Sequence, residues 1–421
     1  MRAWLPEAWS GAVVRLAGTE AIGGVVLTAT VVAALLWANL AGGSYVAVWE
    51  RTVHVSWLPE QLFGTTRQWV ENGLMTVFFF AVGLEVGRER ACGSLRDNRN
   101  ALLPVMAAFG GMAGAAGVYL ATVAAEGASR ATLHGWGVPM ATDVAFTLAA
   151  MALLGSRVPA ALRVFVLALA VADDLASVVI LALVSSSGVH GWPLLGAVVC
   201  LAVVVVLRTR RVAAWWPYVL AAAAVWFLLA WAGVEPTLAG AFVGALVPCT
   251  VGDRGDRRSR RTAGDWVGPS GRLEAVVSPL STFLVVPLFA LASTGVILSG
   301  ALFASAGPRS VIAGIVAARL VGKMGGILVA VSAVVVLGRT SLPPDVRWSQ
   351  LAGAGLMCGM GFTVPLLFAG ATLGGHPELV GAAQIGLLLG TALAFVVGAA
   401  VLLVASSRGP AGADRPPWTD R

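Results

Sequence analysis

Residues 159–184 read PAALRVFVLALAVADDLASVVILALV. A helix that crosses a bilayer needs about 20 mostly apolar residues, and this stretch is long and apolar enough. Two adjacent acids, Asp173 and Asp174, lie at its middle. Ionisable groups inside a membrane are costly, and by default they mark a functional site. The stretch therefore predicts a membrane-spanning helix with an acidic pair near the centre of the bilayer.

The composition of the whole chain supports this interpretation. Of the 421 residues, 58% are hydrophobic and 12% are charged, and the mean hydropathy is +0.85. Soluble domains carry about 25% charged residues, and disordered chains are poor in apolar ones. The net charge of +7 is better explained by basic loops beside a membrane than by nucleic-acid binding. Four scattered cysteines give no disulfide framework or metal motif, and no cofactor is expected.

These observations predict an all-α polytopic membrane protein, with residues 1–407 forming a single transmembrane transporter domain. A tail, 408–421, is rich in Gly, Pro and charge and is expected to be disordered. Twelve spans are predicted, numbered 1 to 12 in chain order: 20–40, 72–87, 101–124, 136–154, 159–184, 192–207, 214–232, 236–249, 273–294, 310–337, 349–372 and 380–405.

Arginines predict the orientation of the spans. They concentrate in the connections that follow the even-numbered spans, as in Arg254–Arg261, and cytoplasmic loops carry such an excess. Both termini of this multi-pass protein are therefore expected in the cytoplasm. The longest outside connection, 41–71, is rich in tryptophan and has two interpretations. It is an aromatic belt at the membrane interface, or residues 45–57 form a β-hairpin that pairs across a dimer.

Further charges lie inside the predicted spans. Span 4 contains Asp143, span 10 contains Arg319 and Lys323, and span 2 ends with Glu85 and Glu89. A buried ion pair that only holds helices together is one explanation, but two bases cannot neutralise all of these acids. Neighbours on a helix point about 100° apart, so one aspartate of the pair can face a cavity while the other meets a base. Such a pair can hold protons or a hard cation, which is the chemistry of cation/proton exchange.

Lys323 is the only lysine among 28 basic residues. Arginine stays charged inside a protein, whereas a buried lysine can release a proton. The choice of lysine at this one mid-membrane position suggests that Lys323 titrates or that its compact charge is needed. Chance is the competing explanation.

Two spans contain residues that interrupt helices. Span 4 has Pro139 with Thr142 beside Asp143, and residues 353–365 of span 11 read GAGLMCGMGFTVP. Non-helical backbone at membrane depth is tolerated where it lines a cavity, although close packing of small residues also explains span 11. The two spans are the middle members of spans 3–5 and 10–12, which run in opposite directions. Interrupted helices 4 and 11 are therefore expected within inverted repeats.

At these residues the chain resembles an NhaA-type sodium/proton antiporter, over nearly its whole length and in the family's order. Inverted repeats are an established feature of that family, so the repeat argument and the resemblance are not independent. The matching segments are Asn72–Glu85, Ala141–Phe146, Leu153–Pro159, Ala170–Ser177, Thr237–Gly240, Pro287–Ala290, Gly322–Lys323 and Cys358–Thr363.

The resemblance implies electrogenic, pH-regulated exchange of one sodium or lithium ion for two protons by alternating access. It implies a bacterial inner-membrane protein, often a homodimer. Asp174 would be the principal sodium ligand, with Asp173 as its titrating neighbour, paired with Lys323. Asp143 and Thr142 would lie where half-helices cross. Four acids would belong to pH control: Glu85, Glu89, Glu274 and, by position, Glu235.

This sequence departs from the family pattern at several positions. Glu235 stands where the best-known members have histidine, and, if exposed, it would stay charged through neutral pH. Capping of span 8 is the alternative role for Glu235. Gly87 replaces a basic residue, Ser293 and Thr294 replace an Asn-Ala pair, and Arg319 replaces an apolar residue. These departures put the pH range in doubt rather than the transport site.

Other classes of membrane protein fit less well. An intramembrane aspartyl protease would need Gly-x-Gly-Asp, and a prenyltransferase would need Asp-Asp-x-x-Asp, where this chain has Ser177. An organic-anion symporter would need a second polar site, and a passive channel has no use for a titrating pair. The sequence therefore favours a transporter over an enzyme.

Overall fold

The computed structural model describes residues 8–407 except 54, 56–57, 60–62, 93–97, 128, 186–189, 250–267, 297–304, 339 and 344–345. The tail 408–421 lies outside the described residues, as do the arginines from 254 to 261. The regular secondary structure of the described residues is helical, apart from an isolated antiparallel bridge between Thr52 and Thr65. In lipid, a helix satisfies its own backbone hydrogen bonds, which is why such apolar stretches adopt it.

Most helices begin and end close to the predicted boundaries, but α1 begins at Ala8, well before the predicted start of span 1 at residue 20. The first eight are α1 (Ala8–Leu40), α2 (Gly42–Trp49), α3 (Met75–Cys92), α4 (Asn98–Ala125), α5 (Val144–Leu153), α6 (Ala160–Ser185), α7 (Gly191–Thr209) and α8 (Trp216–Ala232). The others are α9 (Leu238–Leu246), α10 (Pro269–Leu280), α11 (Val286–Ser293), α12 (Ala306–Ala317), α13 (Met324–Val336), α14 (Trp348–Met357), α15 (Thr363–Leu373) and α16 (Pro377–Ser407).

Shorter turns complete several of these helices. Thr66–Gln68 is α-helical, Arg130–Leu133 leads into the 3₁₀ turn His134–Gly137, and Gly155–Arg157 is a second 3₁₀ turn. Three π-helical turns join neighbouring α-helices: Trp69–Leu74 before α3, Ser281–Val285 between α10 and α11, and Ala318–Lys323 between α12 and α13. Turns of this kind are often found at functional sites.

Among the residues that the structure describes, eight helices are long and apolar enough to cross a membrane. This confirms an all-helical, polytopic membrane protein. Each of the twelve predicted stretches contains helix, but several of these helices are shorter than a bilayer is thick. The total of twelve spans and the inverted repeat therefore stay predictions.

The connection after α1 is helical where a β-hairpin was one of the two expectations. Residues 42–49 form α2, and Tyr45 and Trp49 are buried on one side of it. Both rings contact Trp37, at centroid distances of 5.4 and 6.5 Å. One helical turn brings residues four apart within reach of the same ring, whereas a strand would separate them by about 13 Å. The hairpin prediction is therefore wrong for residues 45–49.

Both predicted interruptions are present. Helical geometry is absent from residues 138–143, the first break, and from residues 358–362, the second break. Every residue of both breaks is buried. Open backbone is thus enclosed by protein, as membrane depth requires.

Two helix pairs touch backbone to backbone through glycines four residues apart. Gly110 and Gly114 of α4 meet Gly322 and Gly326, at the junction of the last π-helical turn and α13. A Cβ atom added at Gly326 would lie 2.0 Å from the Gly110 carbonyl oxygen. Small residues allow such close helix packing in membranes.

The second pair explains the departure at Gly87. Gly83 and Gly87 of α3 pack against α9, where Gly83 meets Gly244 and Gly87 meets Ala245. A Cβ atom at Gly87 would lie 3.0 Å from the Ala245 carbonyl oxygen. Any side chain at position 87 would press on this backbone oxygen, so α9 would have to yield by a few tenths of an ångström.

Candidate functional site

Asp173 lies near the middle of α6 and forms an ion pair with Lys323. The Lys323 Nζ atom is 2.8 Å from Oδ1 and 3.0 Å from Oδ2 of Asp173, and both side chains are fully buried. The backbone N–H of Thr142 donates to the same carboxylate at 2.7 Å. Asp173 therefore ties together α6, the first break and the last π-helical turn, and one lysine matches its charge.

Asp174 faces a different direction because successive helix residues lie about 100° apart. Its side chain lines a cavity of about 370 Å³. Its Oδ1 atom is buried, and no residue that the structure describes gives it a hydrogen bond. A buried carboxylate oxygen without a protein donor suits a proton or a hard cation.

Asp143 reaches the same cavity from the first break. Its carboxylate accepts a hydrogen bond from the Thr363 hydroxyl at 3.1 Å, at the start of α15. The Thr142 hydroxyl donates to the Cys358 carbonyl oxygen at 2.8 Å. The two breaks therefore meet beside Asp174, and oxygen atoms from both sides of this contact line its cavity. The polar residues of the cavity wall are Glu85, Arg88, Thr142, Asp143, Asp174, Glu274, Ser278, Ser281, Thr282 and Thr363.

Three of the acids expected to act in pH control meet at Arg88. The Arg88 guanidinium forms an ion pair with Glu274 of α10 and lies 3.8 Å from the carboxylates of Glu85 and Glu89. Glu85, Arg88 and Glu274 also line the cavity that Asp174 reaches. This acidic cluster therefore stands at the wall of the aspartate cavity, with Arg88 as its centre.

Glu235 does not belong to this cluster. It lies outside the spanning helices, in the connection that follows Gly233, where a φ of 72° ends α8. Further along α9, Gly240 packs on Thr76 near the start of α3, whereas Glu85 and Glu89 lie near the end of α3. Glu235 is thus at the opposite end of α3 from Arg88.

Glu235 also differs from the expectation that it is exposed and charged at neutral pH. It is half-buried, and the Thr237 hydroxyl donates to its carboxylate at 3.1 Å. Burial raises the pKa of Glu235 from its ordinary value of 4.5 to about 7. The expectation applied to an exposed carboxyl, whereas packing at the start of α9 removes water from Glu235 and places its pKa near neutral pH.

Ser293 and Thr294, the other departure, lie apart from the aspartates. The Ser293 hydroxyl donates to Glu71 at 3.1 Å, and its carbonyl oxygen accepts from Gln384 at 2.7 Å. These bonds tie the end of α11 to the turn before α3 and to α16.

The structure thus brings Thr142, Asp143, Asp173, Asp174 and Lys323 together. Two members of the site were missed from the sequence. Arg88 comes directly after predicted span 2, where an arginine indicates only a connection, although it stands three residues after Glu85, a spacing that places both on one helix face. Thr363 ends the Cys358–Thr363 segment that resembles the family, but nothing in the sequence pointed to its contact with Asp143.

A family model, Na+/H+ antiporter 1, matches residues 15–402. A curated relative from Kineococcus radiotolerans, Na(+)/H(+) antiporter NhaA 2, is 40% identical over 389 residues, which cover 91% of this chain and 82% of the relative. The NhaA antiporter of Thermobifida fusca is 38% identical over 405 residues, 93% of each chain. That of Acidovorax sp. is 40% identical over 391 residues, 92% of this chain and 90% of the relative. By both the family model and these relatives, the chain belongs to the Na+/H+ antiporter 1 family.

Proposed function

We propose that this chain exchanges sodium or lithium for protons across the bacterial inner membrane, electrogenically and by alternating access. Family membership supports sodium/proton exchange, and the observation that carries the site is Asp174. Its carboxylate lines a cavity beside a second carboxylate that Lys323 already neutralises. Asp174 can therefore exchange a proton for a cation, while the charge of Asp173 is matched by Lys323.

The charges of this arrangement account for two protons per cation. In the proton-loaded state, Asp174 is protonated and Asp173 is paired with protonated Lys323, so the three groups have no net charge. A sodium ion that binds both carboxylates displaces the Asp174 proton and the Lys323 ammonium, which gives up its proton. Two protons leave and one sodium ion enters, so the sodium-loaded site is more negative than the proton-loaded site by one charge. Movement of this charge makes the exchange electrogenic.

Purified protein in liposomes with a trapped pH-sensitive dye tests the proposal. Sodium or lithium added outside should drive proton movement through the wild type, and a potential set with potassium and valinomycin should change the rate. Asp174→Asn should abolish the signal because an amide binds neither a proton nor a cation in the carboxylate's place. Glu378→Gln, which removes an exposed carboxylate at the start of α16, is the matched control. Near-normal exchange by Asp174→Asn would overturn the site.

The acidic cluster supports pH control of this exchange. Glu85, Glu89 and Glu274 share one cation, Arg88, at the cavity wall. Protonation of these acids would weaken their hold on Arg88 and change the packing of α10 against α3. Arg88→Met should therefore shift the pH midpoint of exchange, while an unchanged pH profile would remove the cluster from regulation.

The remaining properties are proposed from the sequence: the homodimer from the resemblance, and the others from the arginine, charge and cysteine patterns. They are a homodimer, both termini in the cytoplasm, and transport with no cofactor and no nucleic-acid partner. Light scattering of the detergent-solubilised protein measures the number of copies. Labelling of single cysteines placed near each terminus, from either side of the membrane, measures the orientation.

A further inference from the structure

Arg319 and Lys323 occupy the two ends of one turn of helix. They stand four residues apart in the π-helical turn Ala318–Lys323, and both side chains are fully buried. Two cations this close in a dry interior repel each other unless each one has acceptors of its own. The acceptors of the two side chains therefore show what each cation does.

Lys323 acts on the first break. Besides the two oxygens of Asp173, its Nζ donates to the Met140 carbonyl oxygen. Met140 lies directly before the segment that holds Thr142 and Asp143. Lys323 thus binds an acid of α6 and a free carbonyl of the first break.

Arg319 acts on the second break. Its Nη1 donates to the carbonyl oxygens of Gly359 at 3.0 Å and Gly361 at 2.7 Å. The same atom lies 2.9 Å from the Thr391 hydroxyl of α16, which also donates to the Gly361 carbonyl at 3.1 Å. Arg319 thus binds two carbonyl groups that the second break leaves outside any helix.

The neighbouring carbonyls of the second break have other donors. Cys358 accepts from the Thr142 hydroxyl at 2.8 Å, and Met360 accepts from the Asp143 backbone N–H at 3.0 Å. Carbonyls at the C-terminal end of a helix carry partial negative charge, which a cation stabilises. In this arrangement the positive charge comes from Arg319, whereas the donors from the first break are neutral.

We propose that Arg319 is a positioning residue: it holds the second break in place and supplies the positive charge that stabilises its carbonyl groups. Lys323 is then needed only as the partner of Asp173 and of the first break. This inference rests on the proposed function, because it assigns different roles in one ion-binding site to Arg319 and Lys323. Arginine suits the task because it does not lose its proton inside a protein. The second break therefore keeps its counter-charge when Lys323 gives up a proton during exchange.

Arg319 can affect the aspartate site because only a few residues separate its carbonyl acceptors from the residues around Asp143. Gly361 is two residues from Thr363, whose hydroxyl binds Asp143. A Cβ atom at Gly361 would lie 2.7 Å from the Ala141 carbonyl oxygen, so the two breaks are in close contact there. Loss of Arg319 should let the second break move, and with it the oxygens around Asp174.

Sodium-driven exchange in liposomes tests the inference with Arg319→Met, Arg319→Gln and Arg319→Lys. The neutral variants should raise the KM for sodium about tenfold and reduce kcat less. They should also move the pH midpoint to higher pH, because loss of a cation favours the protonated form of the nearby acid Asp143. Arg319→Lys should keep the midpoint and recover part of the affinity.

Two control variants separate this role from simple stability. Arg309→Met removes an exposed arginine of α12, the helix that leads into the π-helical turn of Arg319, and should leave both parameters unchanged. Thr391→Val removes a neutral partner of both Arg319 and Gly361 but leaves the arginine charge in place, so it should raise KM without moving the pH midpoint.

An Arg319→Met protein with wild-type KM and pH profile but a lower unfolding temperature would overturn the inference, as would failure of all three Arg319 variants to fold. Absence of exchange by the wild type would instead overturn the proposed function. In that case thermal unfolding with and without sodium still tests Arg319, whose neutral variants should lose sodium-dependent stabilisation.

Discussion

The backbone N–H of Asp143 donates to the carbonyl oxygen of Met360, 3.0 Å away. The two residues belong to different breaks. Among the described residues, neither the Asp143 N–H nor the Met360 carbonyl has a hydrogen-bond partner within its own helix, and this bond takes the place of that partner. The bond from the Thr142 hydroxyl to Cys358 repeats the relationship one position earlier on the first break. Neither break could become helical alone without leaving buried polar groups of the other unpaired, which is costly in a dry interior. The two breaks therefore stabilise each other.

Asp173→Asn should impair exchange less than Asp174→Asn, because Asp173 serves as the partner of Lys323 and does not line the cavity. It should cost more stability, since Lys323 would remain buried opposite a neutral amide. Exchange rate and unfolding temperature measured on the same preparations check both halves. A variant that is as stable as Asp174→Asn but less active would contradict the assignment of the two roles.

Lys323→Arg should disturb activity more than folding. Arginine keeps the charge opposite Asp173 but cannot release a proton. If Lys323 carries one of the two protons, the variant should lose the dependence of exchange on membrane potential or shift its pH optimum. Potential-dependent exchange at wild-type rates, combined with a lower unfolding temperature, would show that Lys323 only stabilises the helices.

Gly326→Ala should destabilise the protein by about 1–3 kcal/mol, as overpacking of a well-packed contact does. The added methyl group would meet the Gly110 carbonyl oxygen at 2.0 Å, and neither backbone can yield without moving a helix. The neighbouring Gly325→Ala is the control, because no atom lies within 4 Å of its added Cβ. Thermal unfolding in detergent compares the two, and equal unfolding temperatures would contradict the close contact of α4 and α13.

Glu235→Gln should change how stability depends on pH. The unfolded carboxyl ionises above 4.5 and the folded one only above about 7, so the folded chain holds an extra proton between these values. Wild-type stability should therefore fall as the pH rises through this window, and the glutamine variant should lack that component. Unfolding temperatures at several pH values measure it, with Glu378→Gln as the control.

The same residue tests regulation of transport. Because Glu235 gains its charge near neutral pH, Glu235→Gln and Glu235→His should both move the pH midpoint of exchange. A midpoint that stays in place in both variants would leave Glu235 with only its local contact to Thr237.

Much of the fold could be predicted because it depends on local properties of the chain. Apolar length predicted the helices, and Pro139 and the glycines of span 11 predicted the two breaks. Adjacent acids on one helix implied that one faces a cavity and the other meets a base. Each of these arguments needs only a few consecutive residues and the geometry of a helix.

The rest depends on contacts between distant segments. Arg319 was visible as an unusual charge, but its acceptors, Gly359 and Gly361, come from the second break, far along the chain. Burial of Glu235 follows from the packing around the start of α9, which no neighbour in the sequence reveals. Gly87 looked like a lost charge, and only its contact with Ala245 shows that it is a packing position.

Lys323 has a practical consequence, because it is the only lysine of the chain. Apart from an α-amino group, the protein has a single primary amine, and that amine is fully buried against Asp173. Amine-selective reagents therefore have one side-chain target, at the centre of the ion site. The rate at which such a reagent modifies the folded protein measures how often that centre opens to water. The change of this rate with sodium concentration or pH would report on the transport cycle without any substitution in the chain.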